Sequence, residues 1–508
     1  MALRNMVAMV AEMEGSLLLA GATLAILLTI STIVRITSSP SSSFSQMTWP
    51  SGPKKLPIIG NLHQLRGELL HVTLAKLAKV HGGVMTIWMG SWVPIIVISD
   101  INSAWEVLVN KSADYGAREV TYLHELLRDS AMHPHNISSS DVGPLWHNIR
   151  KGLQSGALSP LSVASQTQHR ERDMKRVVHE MSREIVNNNG TIKPLVHIKN
   201  STARLLGRLI FGPSFNDSKF IESMLYEIED FIRTSSYTSL TNSFYYAKYL
   251  PSQRKATREA KLGKYRIEEL VRPLLSSKPP TNAYLYFLLS QNLSEEVTIF
   301  CIFELFLLGV DSASSTTTWA LAYMIREQEA QEKLYQDIRM TIGDVDLVKI
   351  EDVNKLKYLQ SVVKETMRMK PIAPLALPHN AGKDTTLMGT KIVKGTRVMV
   401  NLYALHHYED VWLEPSKFMP ERYLQGEDGS VTHKAMEQSL LPFGAGMRIC
   451  AGMDLGKLQV AFVLANLVNA FKWSCVEDGK LPDMTEELFG LIILMKTPLE
   501  GRISPRTV

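Results

Sequence analysis

The chain predicts a mainly α fold with a small β portion, and three features of the sequence say so. From Ala104 to Met340 apolar residues recur at helical spacing, with loops marked by Pro134, Pro144 and Pro279-Pro280. Strand-type patterning shows at residues 84–88 and 95–98, on either side of Gly90-Ser91, and reads as a β-hairpin. Later, a helix carrying Glu365 and Arg368 stops at Pro371, and another apolar helical run, through Leu455, Leu458, Val460 and Phe462, follows a glycine-rich loop.

Composition narrows the classes. Three cysteines (Cys301, Cys450, Cys475) in 508 residues argue against a disulfide framework and fit a reducing compartment. Cys301 lies in an apolar helical run and Cys475 follows Phe471-Lys472-Trp473-Ser474, so both read as packed thiols. A net charge of +5 is modest and spread out. It allows an acidic partner or an anionic membrane and leaves no nucleic-acid footprint.

Residues 17–34 (LLLAGATLAILLTISTIV) carry no charge. As a helix they would span roughly 27 Å, the thickness of a hydrocarbon core. A cleaved signal peptide is the competing reading, but Arg35 and a Ser/Pro linker follow, which favours a retained anchor. Arg35, Lys54 and Lys55 lie after the segment and Glu12 and Glu14 before it, with Arg4 opposing the bias. The positive-inside rule then places the rest of the chain on the cytosolic face, where sequons such as Asn200-Ser201-Thr202 stay unglycosylated. Pro50-Ser51-Gly52-Pro53, Pro57 and Gly60 form a stiff hinge. The expected division is an anchor at 1–35, a linker and hinge at 36–62, and a single domain at 63–508.

The glycine-rich loop is Leu441-Pro442-Phe443-Gly444-Ala445-Gly446-Met447-Arg448-Ile449-Cys450-Ala451-Gly452. Glycines at 444, 446 and 452 let backbone approach a flat ligand. Clustered N–H groups can donate to a thiolate, and Arg448 offers a cation suited to a carboxylate. The alternative is an inert buried cysteine in a turn. The pattern favours a cysteine serving as anionic axial ligand to haem iron.

Phe443-x-x-Gly446-x-Arg448-x-Cys450-x-Gly452 matches in full the haem-binding signature of the cytochrome P-450 superfamily, and the chain resembles that superfamily. The resemblance implies one large, mostly helical haem-thiolate domain and an NADPH–cytochrome reductase partner. It implies that Cys450 ligates the iron, with Phe443 and Gly444 in the haem loop. Trp146 and Arg150, four residues apart on one helical face, would join Arg448 in holding a propionate. His379, after Pro374-Leu375-Ala376-Leu377-Pro378, would be a further propionate donor at the end of an extended segment along the haem edge. Glu365, Arg368 and Arg422 (in Pro420-Glu421-Arg422-Tyr423) would form a buried ion network beneath the haem.

Ser294, Glu295 and Glu296 read as a helix start, and a long apolar helix follows through Phe300, Phe303, Phe306 and Leu307. At its centre stands Leu308-Gly309-Val310-Asp311-Ser312-Ala313-Ser314-Ser315-Thr316, polar groups that are costly in a buried helix unless used. The resemblance makes Gly309 the opening of an O2 groove and Asp311 and Ser312 an acid–alcohol proton relay. Leu308 stands where alanine is usual and crowds the pocket. Ser315 and Thr316 are expected to bond back to carbonyls one turn earlier. Glu304, on the same face, either meets a cationic substrate or anchors the loop between Ala113 and Ser138. Leu123, Ala373, Leu375 and Leu491 complete the expected substrate contacts.

Residues 49–62 (WPSGPKKLPIIGNL), 367–378 (MRMKPIAPLALP), 400–407 (VNLYALHH) and 446–457 (GMRICAGMDLGK) resemble the plant subfamily that forms methylenedioxy bridges. That likeness implies an O2-dependent monooxygenase in the endoplasmic reticulum membrane, single-pass with a cytosolic catalytic domain. It would close a bridge between an aryl methoxy group and its neighbouring phenol. The run Arg118-Glu119-Val120-Thr121-Tyr122-Leu123 departs from the alkaloid-acting pattern. It tilts the expectation toward a lignan of the matairesinol-to-pluviatolide type, with a protoberberine alkaloid such as tetrahydrocolumbamine as the alternative. A haem-thiolate isomerase or dehydratase, a haem sensor, and simple O-demethylation or phenol coupling remain competing activities. Arg150, Lys151 and Lys457 are expected to contribute to reductase docking.

Overall fold

A computed structural model describes residues 48–119 (without 91), 136–243, 249–424 and 431–506 (without 478, 490 and 491), together with Gly21, Thr29 and Thr32. The predicted anchor otherwise falls outside the described residues. The main helices are α1 (Leu70–His81), α2 (Pro144–Ser155), α3 (Thr167–Asn187), α4 (Pro194–Phe211), α5 (Ser218–Ser243), α6 (Pro251–Leu275), α7 (Tyr284–Ser290), α8 (Glu295–Arg326), α9 (Gln328–Ile342), α10 (Lys357–Met369) and α11 (Met453–Ala470).

Helix α8 is the axis. Ser294 caps it by accepting the Val297 N–H, two acids follow in the first turn, and Arg326 sits in the last. It packs on α4, α10 and α11, and almost every residue from Thr298 to Ile325 is buried. Length and composition alone would let it cross a membrane, yet most of it is enclosed by protein: it is a core helix. Its exceptions to burial are informative. Besides Phe300, those partly exposed are Leu305, Leu308, Gly309 and Ser312, and their i, i+3, i+4, i+7 spacing puts them on one face of the helix.

The small β portion forms separate sheets among the described residues. Val84–Met89 (β1) pairs antiparallel with Val93–Ile98 (β2), which runs parallel to Arg397–Val400; His379–Asn380 closes that sheet. The hinge is part of this sheet's edge rather than a free spacer. Asn61 is buried, accepts the Trp88 N–H and donates to the Pro53 carbonyl, and Gly60 bridges Met89. A Cβ on Gly52 would lie 2.3 Å from the Thr86 carbonyl oxygen, so only glycine allows that approach.

One backbone expectation is corrected. The run after Ile372 is not extended: the Ala376 N–H donates to the Ala373 carbonyl and Ala376 has φ +52°, a tight turn that precedes the short strand at His379.

Candidate active site

The cysteine loop is built from backbone. Gly446 has φ +64°, and a Cβ there would stand 1.7 Å from the Leu108 carbonyl oxygen. Gly444 (φ +69°) turns the chain so that the Cys450 N–H reaches the Phe443 carbonyl at 2.9 Å. The Cys450 side chain is accessible even though protein crowds it. Burial pushes that thiol up, while the Gly452 N–H and Arg150 pull it down. Iron coordination is what removes such a proton outright.

Three arginines gather around this loop, Arg150 next to the thiol and Arg118 next to Arg448. Arg448 donates through Nε and Nη2 to the Gly116 carbonyl (2.9 and 2.6 Å). It also reaches the Ser140 carbonyl through Nη2 (2.5 Å) and the Ile137 carbonyl through Nη1 (3.2 Å). Its guanidinium stacks on Trp146 at 4.6 Å, and the Trp146 Nε1–H donates to the Ile137 carbonyl. Arg150, one turn along α2, donates to the Ile449 carbonyl and also faces the Trp146 ring. Arg118, which the motifs did not single out for this role, donates to the carbonyls of Ser138, Leu377 and Pro378. Burial, then Arg448 beside it, pushes Arg118 down to about 9. Among the described residues no carboxylate lies within ion-pair reach of these three cations. Three guanidiniums held by neutral carbonyls, together with the Cys450 thiol, form a donor set that fits haem, with a thiolate for the iron and cations for its two carboxylates.

His379 takes a different part from the one expected. Its Nδ1 donates to the Tyr115 carbonyl at 2.8 Å, and burial, then Arg118 and Arg448, pushes it down to about 3. A neutral ring with the proton on Nδ1 offers only an acceptor at Nε2, so Arg118 rather than His379 supplies donors toward a carboxylate.

Beneath the cysteine loop, Glu365, Arg368 and Arg422 come together. Arg368 donates to both Glu365 oxygens (2.8 Å each) and Arg422 Nε to Oε1 at 3.1 Å, with Glu365 and Arg368 fully buried. Arg368 also holds the carbonyls of His406, Pro415 and Lys417, which ties α10 to the segment ahead of the loop.

On the other side, Asp311 points away from the partly exposed stripe. Its Oδ1 lies 2.8 Å from Lys199 Nζ on α4, though neither carboxylate oxygen has a well-aligned donor. Lys199 also meets Glu229 of α5 at 3.1 Å. Burial works against the Lys199 charge, and the two carboxylates more than offset it, holding that amine above its ordinary value. Burial pushes the Asp311 carboxyl up against the pull of Lys199. Ser312 Oγ donates to the Leu308 carbonyl at 2.6 Å. Gly309 serves helix packing: a Cβ there would come within 2.8 Å of Leu206 on α4.

The Cytochrome P450 family profile matches residues 50–501. The chain belongs to the cytochrome P450 family. It is 72% identical over 496 residues to an (S)-canadine synthase of Coptis japonica, covering 98% of this chain and 100% of the relative. It is 56% identical over 498 residues to a pluviatolide synthase of Podophyllum peltatum, covering 97% and 99%. A zebrafish cytochrome P450 solved with abiraterone superposes with a TM-score of 0.70 at 23% identity, over 86% of this chain and 100% of that one, a likeness of fold. As a P450, the protein is a haem-thiolate oxidoreductase that takes electrons from NADPH through a reductase.

Within that P450 frame, several expected contacts change place. Glu304 is not open to a cationic ligand: its Oε2 accepts the Ile137 N–H (2.9 Å) and its Oε1 the Ser138 N–H (2.8 Å), so it anchors the loop. Leu375 is buried among Leu74, Met85, Ile87 and Val97, because the turn at Ala373 swings it into the sheet; Ala373 stays partly exposed. Ser315 donates to the Ile493 carbonyl instead of back along its helix, whereas Thr316 does bond back, to Ser312. Arg150 faces inward toward Cys450, which leaves Lys151 and Lys457 exposed on that side. Leu123 and Leu491 lie outside the described residues. The alkaloid alternative fits better than the expected lean toward a lignan, since the alkaloid-named relative shares more of the sequence than the lignan-named one.

Proposed function

We propose that this P450 closes a methylenedioxy bridge on a protoberberine alkaloid bearing adjacent methoxy and hydroxy groups, as in the conversion of tetrahydrocolumbamine to canadine. The observation that carries this reading is the 72% identity to an (S)-canadine synthase across essentially the whole of both chains, against 56% to a pluviatolide synthase. The reaction breaks one methyl C–H bond and the phenol O–H bond and forms one C–O bond. Substrate, O2, NADPH and a proton give the bridged product, NADP+ and water, two water molecules per turnover.

Haem bound at Cys450 supplies the O2 chemistry. The chain's own residues do the rest. Cys450 would provide its anionic ligand, and Arg118, Arg150 and Arg448 would hold its carboxylates. Lys199 links the buried Asp311 to the exposed Glu229, so that a proton can be held at the Asp311 carboxyl next to a route toward solvent. Leu308 and Ser312 lie on the partly exposed stripe of α8. There the leucine orients the methyl group and excludes water.

We also assign the chain to the endoplasmic reticulum membrane. Residues 1–35 are the anchor, 36–62 the linker and hinge, and 63–508 the catalytic domain on the cytosolic side. The uncharged run at 17–34 and the basic residues after it support that placement.

The test offers tetrahydrocolumbamine and matairesinol side by side to microsomes containing the protein, reductase, NADPH and O2. The expected product is the alkaloid lighter by two hydrogens. A lignan lighter by two hydrogens and an unchanged alkaloid would overturn the substrate assignment. Loss of a whole methylene group would overturn bridge formation.

A further inference from the structure

We propose that Glu304 is a positioning residue for the haem carboxylate cradle, acting through the single peptide group that joins Ile137 to Ser138. That peptide stands between two opposite charges. Its N–H (Ser138) donates to Glu304 Oε1 at 2.8 Å, while its C=O (Ile137) accepts from Trp146 Nε1 at 2.9 Å and from Arg448 Nη1 at 3.2 Å. The preceding peptide turns its N–H (Ile137) to Glu304 Oε2 at 2.9 Å. The following ones send their carbonyls to the cations, Ser138 to Arg118 Nε at 3.1 Å and Ser140 to Arg448 Nη2. Over this short stretch the donors at 137 and 138 face the carboxylate and the acceptors face the arginines.

A peptide dipole with an anion at its N–H end and a cation at its C=O end is stabilised at both ends, and each hydrogen bond strengthens the other. Glu304 is buried and within hydrogen-bond reach of these amides. Burial pushes its carboxyl up, the Ser138 hydroxyl and the two amides pull it down, and Arg448 beyond the peptide pulls the same way. Burial pushes Arg448 down to about 10, with Asp141 and, less strongly, Glu304 pulling the other way. Four of the five Arg448 N–H groups go to carbonyls, and two of those carbonyls, Ile137 and Ser140, lie in this segment. The direction in which the guanidinium faces the haem space therefore depends on how the segment is held, and Glu304 on α8 holds it. A plain loop tether would need the amides alone; here the far end of the same peptide carries the haem-facing cation.

The test compares Glu304→Gln, Glu304→Asp and Arg448→Lys holoenzymes, and the Glu304→Gln/Arg448→Lys double variant. Haem transfer to excess apomyoglobin and the thiolate signature of the reduced carbonyl complex are measured. Glutamine puts an amide N–H against a backbone N–H, so haem transfer should quicken about tenfold, the usual effect of losing an outer-shell partner. Aspartate keeps the charge on a shorter arm and should fall between. The double variant should lose haem no faster than the quicker single one, because both act on the same peptide. The proposal is overturned if haem transfer in Glu304→Gln stays within twofold of the parent while its unfolding temperature drops, which is tethering alone. Multiplying effects in the double variant would also overturn it. Should Glu304→Gln fail to fold, Glu304→Asp decides by the same criterion.

Discussion

The two sides of the haem site are made in different ways. On the cysteine side, position comes from backbone: left-handed glycines at 444 and 446, the Cys450 N–H on the Phe443 carbonyl, arginines seated on carbonyls. On the side of α8, position comes from charged side chains acting over long sequence distances, Lys199 of α4 reaching Asp311 and Glu304 of α8 reaching the 137–138 amides. A backbone-built site is fixed by a short run of sequence and tolerates little substitution. A site built on long-range charge pairs can be retuned one residue at a time.

The largest effect is expected where the cysteine side rests on its one buried ion network. Glu365→Gln leaves Arg368 and Arg422 without their shared anion and should cost about 3–5 kcal/mol. Thermal unfolding and haem content measure it, and an unfolding temperature close to that of the parent would contradict the assignment.

Acid should separate the two sides next. Burial pushes His379 and His406 down to about 3, against an ordinary value of 6.5. The unfolded chain therefore binds more protons between these values, and stability is full above pH 6.5 and falls as the pH drops toward 3. His406 Nε2 accepts the Leu441 N–H at the entrance to the cysteine loop, and His379 rests on Tyr115 beside the cradle. The thiolate signature of the reduced carbonyl complex should consequently fade as the pH is lowered through 6 and 5. A stability profile flat across that window would contradict the buried neutral rings.

A smaller effect is expected on the α8 side. Lys199→Met removes the cation between Asp311 and Glu229. Product formed per NADPH consumed should fall about tenfold, with haem content unchanged and a shifted pH profile. A parallel loss of haem would instead place Lys199 in the scaffold. The smallest is Ser315→Ala, which leaves the buried Ile493 carbonyl without its hydroxyl donor and should cost about 1 kcal/mol of thermal stability.

The contrast also explains what could be read from the chain. Cys450, Arg448 and Gly446 stand within one loop, and Glu365 and Arg368 are three apart on one helix, so their partnerships follow from spacing. Lys199 is far from Asp311 in sequence, and the Glu304 partners are backbone amides with no residue type to betray them. Arg118 escaped for the same reason, since its partners are three carbonyls. Leu375 was misplaced because a turn at Ala373 replaced the extended backbone on which alternation depends. The hairpin at β1 and β2 was legible from its pattern, while its parallel partner at residues 397–400 comes from far along the chain.

The most direct test of the central claim follows the fate of the methyl group. Tetrahydrocolumbamine carrying a fully deuterated O-methyl group is turned over by the reductase-supported protein, and the product is weighed. Bridge closure predicts a product that keeps two of its three deuterium atoms in the new ring. A product that has lost all three, with the label recovered as a released one-carbon fragment, would mean demethylation and contradict the account.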